Sequence, residues 1–193
     1  MFDILLIGDS LTQWNYNTEI GWGYKMKQWY AGKANIHNKG FAGYSSTMIK
    51  NIFHEFLLGN PQIICVTILL GTNDCHGSET KVSPAEYKQN LAYMIETIHN
   101  INHLAVILLI TPPITEHNND NILHYVNVVR ELCYNQLRIR IVDLHSGKND
   151  ITLADLYDGV HINESGNIKL YEHIKDTLHT YYDCICPDKL FCT

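Results

Sequence analysis

Four short motifs in this chain hold the residue types that acyl transfer requires. They are Gly8-Asp9-Ser10-Leu11, Gly40-Phe41-Ala42-Gly43, Gly71-Thr72-Asn73-Asp74 and Asp158-Gly159-Val160-His161. Together they offer a hydroxyl nucleophile, a backbone N–H with no side chain in its way, a neutral amide donor and an imidazole with a nearby carboxylate. Each has an ordinary explanation alone: a cap serine, a loop glycine, a turn asparagine. All four in order, each at or just after an expected strand end or before the last helix, outweigh those explanations.

The chemistry assigns a task to each residue. The Ser10 hydroxyl is a poor nucleophile until a base removes its proton. Gly8 permits a tight exit from the first strand, presenting Ser10 at the sheet edge. The Gly43 N–H and the Asn73 amide can stabilise a developing oxyanion without protonating it. Asp74 is expected to orient its loop. Asp158 and His161 are three apart, so one loop can hold both: the carboxylate accepts from Nδ1–H and leaves Nε2 facing Ser10. Activity is then expected to fall below about pH 6.5, where an unperturbed imidazole protonates. Trp14, Tyr16, Trp22 and Tyr44 flank the motifs and are candidates for a substrate pocket; the alternative is core or rim packing. A thiol route through Cys75 is the weaker choice, because it sits in the amide-donor loop. His99 and His103 have helical metal-ligand spacing but lack an acidic third ligand, and read as a solvated helix end.

Positioning these groups requires a scaffold, and the hydrophobic pattern supplies one. Apolar, β-branched runs predict strands at Asp3–Ile7, Ala34–Asn38, Gln62–Leu69, Leu104–Ile110 and Ile139–Asp143. Helical periods predict helices at Trp22–Ala31, Ser46–Leu58, Pro84–Asn100, Ile122–Leu137 and Glu164–Tyr181. Ser83-Pro84-Ala85-Glu86 is a strong helix start. This alternation predicts an α/β fold, a parallel sheet with helices on both faces. Ligands in such sheets bind at the strand C-termini.

The remaining composition is mostly exclusion. The chain has 193 residues and a formal net charge of −6, which suits one domain and disfavours nucleic acid as a partner. No apolar run approaches the ~20 residues that a membrane span needs. The start reads as a core strand and not a signal peptide, so a cytoplasmic location is expected. The six cysteines are then expected to be thiols. Cys184, Cys186 and Cys192 lie in a short tail whose spacing matches no usual zinc pattern.

At its motifs the chain resembles the SGNH hydrolases, also called GDSL esterases/lipases. A narrower similarity, to the isoamyl acetate-hydrolysing esterase group, rests on Gly21-Trp22-Gly23, Gly40 to Ser45, Pro84 to Leu91, Ile110 to Ile114, Asp158 to His161 and Gly166-Asn167. It runs from about Phe2 to about Tyr181. It implies a five-stranded, flavodoxin-like three-layer α/β/α domain over residues 1–183, followed by the tail at 184–193. It implies a Ser10, His161 and Asp158 triad, with an oxyanion hole from Ser10 N–H, Gly43 N–H and the Asn73 side chain. It also implies no metal, no organic cofactor and a small acyl ester as the partner molecule, and it allows a homodimer. Acyl transfer, lysophospholipase or thioesterase action on the same site are the alternatives, and a silent binding module is a further one. The chain departs from the group at Thr72, where Ala is frequent, in a short Pro113–Tyr125 segment, and in its tail.

Overall fold

β1 (Phe2–Gly8) is apolar on both faces, and Ile4, Leu5, Leu6 and Ile7 are all completely buried. That pattern marks a strand at the centre of a covered sheet. Burying each such side chain contributes about 1.5–3 kcal/mol. The computed structural model describes residues 1–59, 62–76, 79–117, 121–147 and 150–190. After β1 come α1 (Ser10–Gln13), a 3-10 turn (Trp14–Tyr16), α2 (Trp22–Trp29), β2 (Ala34–Gly40), α3 (Ser46–Leu57), β3 (Ile63–Leu69), α4 (Thr72–His76) and α5 (Pro84–Ile101). Then follow β4 (Val106–Ile110), α6 (Ile122–Cys133), β5 (Ile139–Val142), a second 3-10 turn (Leu153–Asp155) and α7 (Glu164–Tyr181).

The five strands form one sheet in the order β2-β1-β3-β4-β5, and every pairing is parallel. This is the three-layer architecture that the strand–helix alternation predicts. Side chains alternate across the sheet. Leu5 and Ile7 point into a layer with Phe53 of α3, Met94 of α5 and Val126 of α6. Ile4 and Leu6 point the other way, toward Trp22 and Met26 of α2 and Leu170 and Ile174 of α7. The register also levels one edge: Gly8 pairs with Gly40 and Leu69, Leu69 with Ile110, and Ile110 with Val142. Loops leaving that edge therefore start from one height.

Several boundaries differ from the pattern-based expectation. α6 ends at Cys133, not Leu137, because Tyr134 is extended and Asn135 takes a left-handed φ of 54°. β4 starts at Val106, since the Asn102 side chain accepts from Leu104 N–H and turns the chain first. The short α1 and α4 were not expected at all. Beyond α7, residues Asp183–Ile185 make a 3-10 turn, and the chain then folds back onto the α2 layer. Tyr30 donates to the Ile185 carbonyl, Lys33 to the Leu190 carbonyl, and Cys186 is fully buried. Cys192 lies outside the described residues.

Candidate active site

Ser10 is the first residue of α1, a single turn set directly against the sheet edge. The close approach needs two glycines. A Cβ on Gly8 would stand 2.7 Å from the Leu69 carbonyl oxygen and collide with Thr12 Oγ1; one on Gly40 would stand 2.7 Å from Gln13 Cα. Asp9 caps the turn, its Oδ1 accepting from Leu11 N–H at 2.9 Å. From below, the indole of Trp22 donates to the Leu11 carbonyl at 2.9 Å. Ser10 is 8% exposed.

The segment before α7 brings a base to that hydroxyl. His161 Nε2 lies 3.0 Å from Ser10 Oγ, across 151 residues of chain. On the other side of the ring, Nδ1 lies 2.7 Å from Asp158 Oδ2. A proton on Nδ1, held by the carboxylate, leaves Nε2 with its lone pair toward the hydroxyl. Asp158 Oδ1 accepts from the N–H groups of Val160 and His161 at 3.0 and 2.7 Å. Slight burial pushes the Asp158 carboxyl up, but the bonds from His161 and Val160 outweigh it and hold it below the usual range. The loop is tied at both flanks. Asp155 accepts from Thr152 N–H, Thr152 Oγ1, Lys169 Nζ and Ser165 Oγ. Glu116 N–H donates to the Gly159 carbonyl at 2.9 Å, with its side chain packed over Gly159.

Asn73 enters from α4, and its side-chain nitrogen joins the remaining two motifs. It donates to Asp9 Oδ2 at 3.3 Å and to the Tyr44 carbonyl at 3.1 Å. Asn73 is thereby linked to the residue before Ser10 and the residue after Gly43. Gly43 has a φ of 79°, a conformation that favours glycine. Asp74 holds the two loops together, accepting from the N–H and the hydroxyl of Ser46 at the start of α3. That is the orienting task its position suggested.

The four flanking aromatics separate into two kinds. The Trp14 ring is 48% exposed and its centroid is 4.4 Å from that of His161, while Tyr44 is half-buried beside Phe41. Tyr16 donates to the Ile36 carbonyl and Trp22 is fully buried, so both face the packed layers instead of an open cleft. Tyr157, which pattern reasoning missed, stacks on His161 at 5.8 Å; its adjacency to Asp158 was the available signal. Cys75 is buried and burial pushes its thiol up, with Lys81 opposing, so it is a poor thiolate source. His103 is exposed. His99 is not a solvated end: it borders the inward stripe of Leu91, Ile95 and Ile98, and its Nε2 is buried without a hydrogen-bond partner. At the far end of α7, about 27 Å along the helix, His179, Asp183 and Cys186 offer ligand-type atoms within 4.8 Å of one another.

Comparison with known proteins fits this geometry. Residues 6–167 match a family model described as the GDSL-like Lipase/Acylhydrolase family. The isoamyl acetate-hydrolyzing esterase 1 homolog of Mus musculus is 30% identical over 58% of this chain and 49% of its own length. The chain thus spans about half the length of the first curated relatives it matches. The isoamyl acetate-hydrolyzing esterase of Saccharomyces cerevisiae is 24% identical over 96% of this chain and 90% of its own. Among solved structures, an acetyl xylan esterase superposes with a TM-score of 0.79 at 19% identity, covering 92% of this chain and all of the other. That likeness concerns the fold.

Proposed function

Since the chain belongs to the GDSL-like lipase/acylhydrolase family, we propose that it is a serine esterase hydrolysing small acyl esters. The observation that carries this reading is the unbroken line Ser10 Oγ, His161 Nε2, His161 Nδ1, Asp158 Oδ2 at 3.0 and 2.7 Å. His161 takes the Ser10 proton as the hydroxyl oxygen attacks the ester carbonyl. Asp158 stabilises the imidazolium that forms. The N–H groups of Ser10 and Gly43, with the Asn73 amide, hold the tetrahedral oxyanion. His161 then protonates the departing alcohol, leaving an acyl-Ser10. Water, deprotonated by His161, releases the acid and restores the hydroxyl.

Trp14 and Tyr157 both pack against the imidazole, which favours them as contacts for the alcohol portion of the ester. Tyr44 is placed nearer Asn73 through its carbonyl. Among the described residues, no helix is long and apolar enough to cross a membrane. A net charge of −6 supports a small-molecule partner over nucleic acid. Cys65, Cys75, Cys133, Cys184 and Cys186 are free thiols, which suits a reducing, cytoplasmic setting. A homodimer belongs to the same reading and is tested by sizing in solution.

Hydrolysis of p-nitrophenyl acetate tests the chemistry. Ser10→Ala and His161→Ala are expected to lower turnover by about 10³-fold or more. A fluorophosphonate should label Ser10 in the native chain and not in His161→Ala. Full turnover by Ser10→Ala would overturn the reading. Rates across p-nitrophenyl esters from acetate to palmitate are expected to favour the short chains.

A further inference from the structure

Asp9 is 1% exposed, and its carboxyl touches both arms of the proposed oxyanion site. Oδ1 accepts from Leu11 N–H at 2.9 Å, fixing the turn that starts with Ser10. Oδ2 accepts from Asn73 Nδ2 at 3.3 Å. An amide nitrogen has two hydrogens, and the second goes to the Tyr44 carbonyl at 3.1 Å. Both hydrogens of Asn73 are thus committed to acceptors within the protein. A substrate oxygen that is to receive one must take over the longer bond, the one to Asp9.

We propose that Asp9 is a positioning residue: its single carboxyl fixes the spacing between Ser10 N–H and the Asn73 amide, and it holds one Asn73 hydrogen until the substrate carbonyl arrives. Tyr44 keeps the other hydrogen throughout, so the amide pivots instead of detaching. The pivot is completed when the substrate binds, so the donor is in place before charge develops on the oxygen. It also explains why a carboxyl is buried here with only neutral donors. Burial pushes Asp9 up to about 7, the Leu11 N–H opposing and the nearby Asp74 adding to the rise. A firmly ionised neighbour would compete with the oxyanion for the same hydrogen; a carboxyl that ionises reluctantly releases it more readily. The proposal rests on the oxyanion role given to Asn73 above.

A double-mutant cycle separates the two readings. Steady-state kinetics on p-nitrophenyl acetate are measured for Asp9→Asn, Asn73→Ala and the pair, with thermal melts confirming that each is folded. Asp9→Ala is run alongside, so the isosteric variant carries the test if the alanine variant does not fold. Asn73→Ala is expected to lower kcat by about 10²–10³-fold. Asp9→Asn replaces one acceptor by a donor and misaims Asn73, so kcat should fall about tenfold or more with KM within about twofold. The double variant should be no slower than Asn73→Ala alone, since Asp9 acts through that side chain. Costs that multiply, or a KM change at constant kcat, would overturn the Asp9 role and leave the oxyanion hole standing. An Asn73→Ala variant with wild-type kcat would remove both.

Discussion

Asp9 and Asp155 are both buried carboxylates, 1% and 3% exposed, one on the nucleophile side of the site and one on the base side. Burial raises the pKa of each. Asp9 meets only neutral donors, Leu11 N–H and the Asn73 amide, and is pushed up to about 7. Its neighbour Asp74, held by Ser46, is pushed up to about 6. Asp155 meets the Lys169 ammonium at 2.7 Å together with Thr152 and Ser165, which overcome the burial and hold it down to about 2. Burial acts in the same direction on both, but at Asp155 the Lys169 ammonium with the Thr152 and Ser165 donors outweighs it, whereas at Asp9 the neutral donors do not. The consequences divide by task. The base side needs a permanent anchor for the loop carrying Asp158 and His161, and an ionised Asp155 provides it. On the proposed reading, the Ser10 side needs a hydrogen-bond acceptor that does not flood the oxyanion region with negative charge.

Removing the anchor should break this contrast most visibly. Asp155→Ala leaves Lys169 and the Thr152 N–H without their acceptor and is expected to cost about 3 kcal/mol of stability in urea denaturation. A loss below about 1 kcal/mol would mean that the anchor is unimportant. Next comes the pH dependence. The ordinary pKa of an Asp is 3.8 and that of Asp9 in the fold is about 7, so the unfolded chain gives up this proton first. The Asp9 contribution to stability is therefore complete below about pH 4 and lost as pH rises through 7; Asp74 follows the same sign, lost through about 6. Asp155 has the reverse sign, contributing above about pH 4 and losing its contribution as pH falls through 2. Denaturation at about pH 4.5, 6 and 8 should show stability declining by about 3 kcal/mol or more, with a shallower slope in Asp9→Asn. A wild-type slope that is flat or rising would contradict the burial account.

Lys169→Met is the milder perturbation of the anchor. Its ammonium is 35% exposed, so solvent screens the pair, and about 1 kcal/mol is expected at neutral pH. Acid unfolding of this variant should begin at higher pH, as Asp155 regains an ordinary or raised pKa. At the small end, Lys88→Ala removes a 2.6 Å ion pair with Glu131 that stands in water at 42% and 64% exposure. Less than about 0.5 kcal/mol is expected. A larger effect would show that the cation's identity, and not its burial with the carboxylate, sets the difference.

The long elements were legible because their pattern is long. α7 runs from Glu164 to Tyr181 as the periodicity predicts, and Ser83 caps α5 by accepting from Glu86 N–H. The four motifs were also legible, since each holds a residue of distinctive chemistry next to glycine. The turns that aim those residues were not. α1 and α4 have four and five residues, too few for any 3.6-residue period to appear. Their existence depends on contacts between distant segments, such as Gln13 against Gly40 and Asp74 against Ser46. Trp22 shows the same limit. An aromatic beside a motif suits a cleft as well as a core, and only the hydrogen bond to the Leu11 carbonyl places it beneath the turn. Asp9 was visible as a letter in a motif, but its partner Asn73 lies 64 residues away.

The 151-residue gap between Ser10 and His161 has a consequence during synthesis. The hydroxyl is translated early and the imidazole late; at about 5–20 residues per second, some 8–30 seconds separate them. A nascent or prematurely terminated polypeptide therefore exposes an inert alcohol to cellular metabolites. On the proposed reading, reactivity waits until the segment carrying His161, just ahead of α7, reaches Ser10, so translational fragments that lack it are expected to be inert.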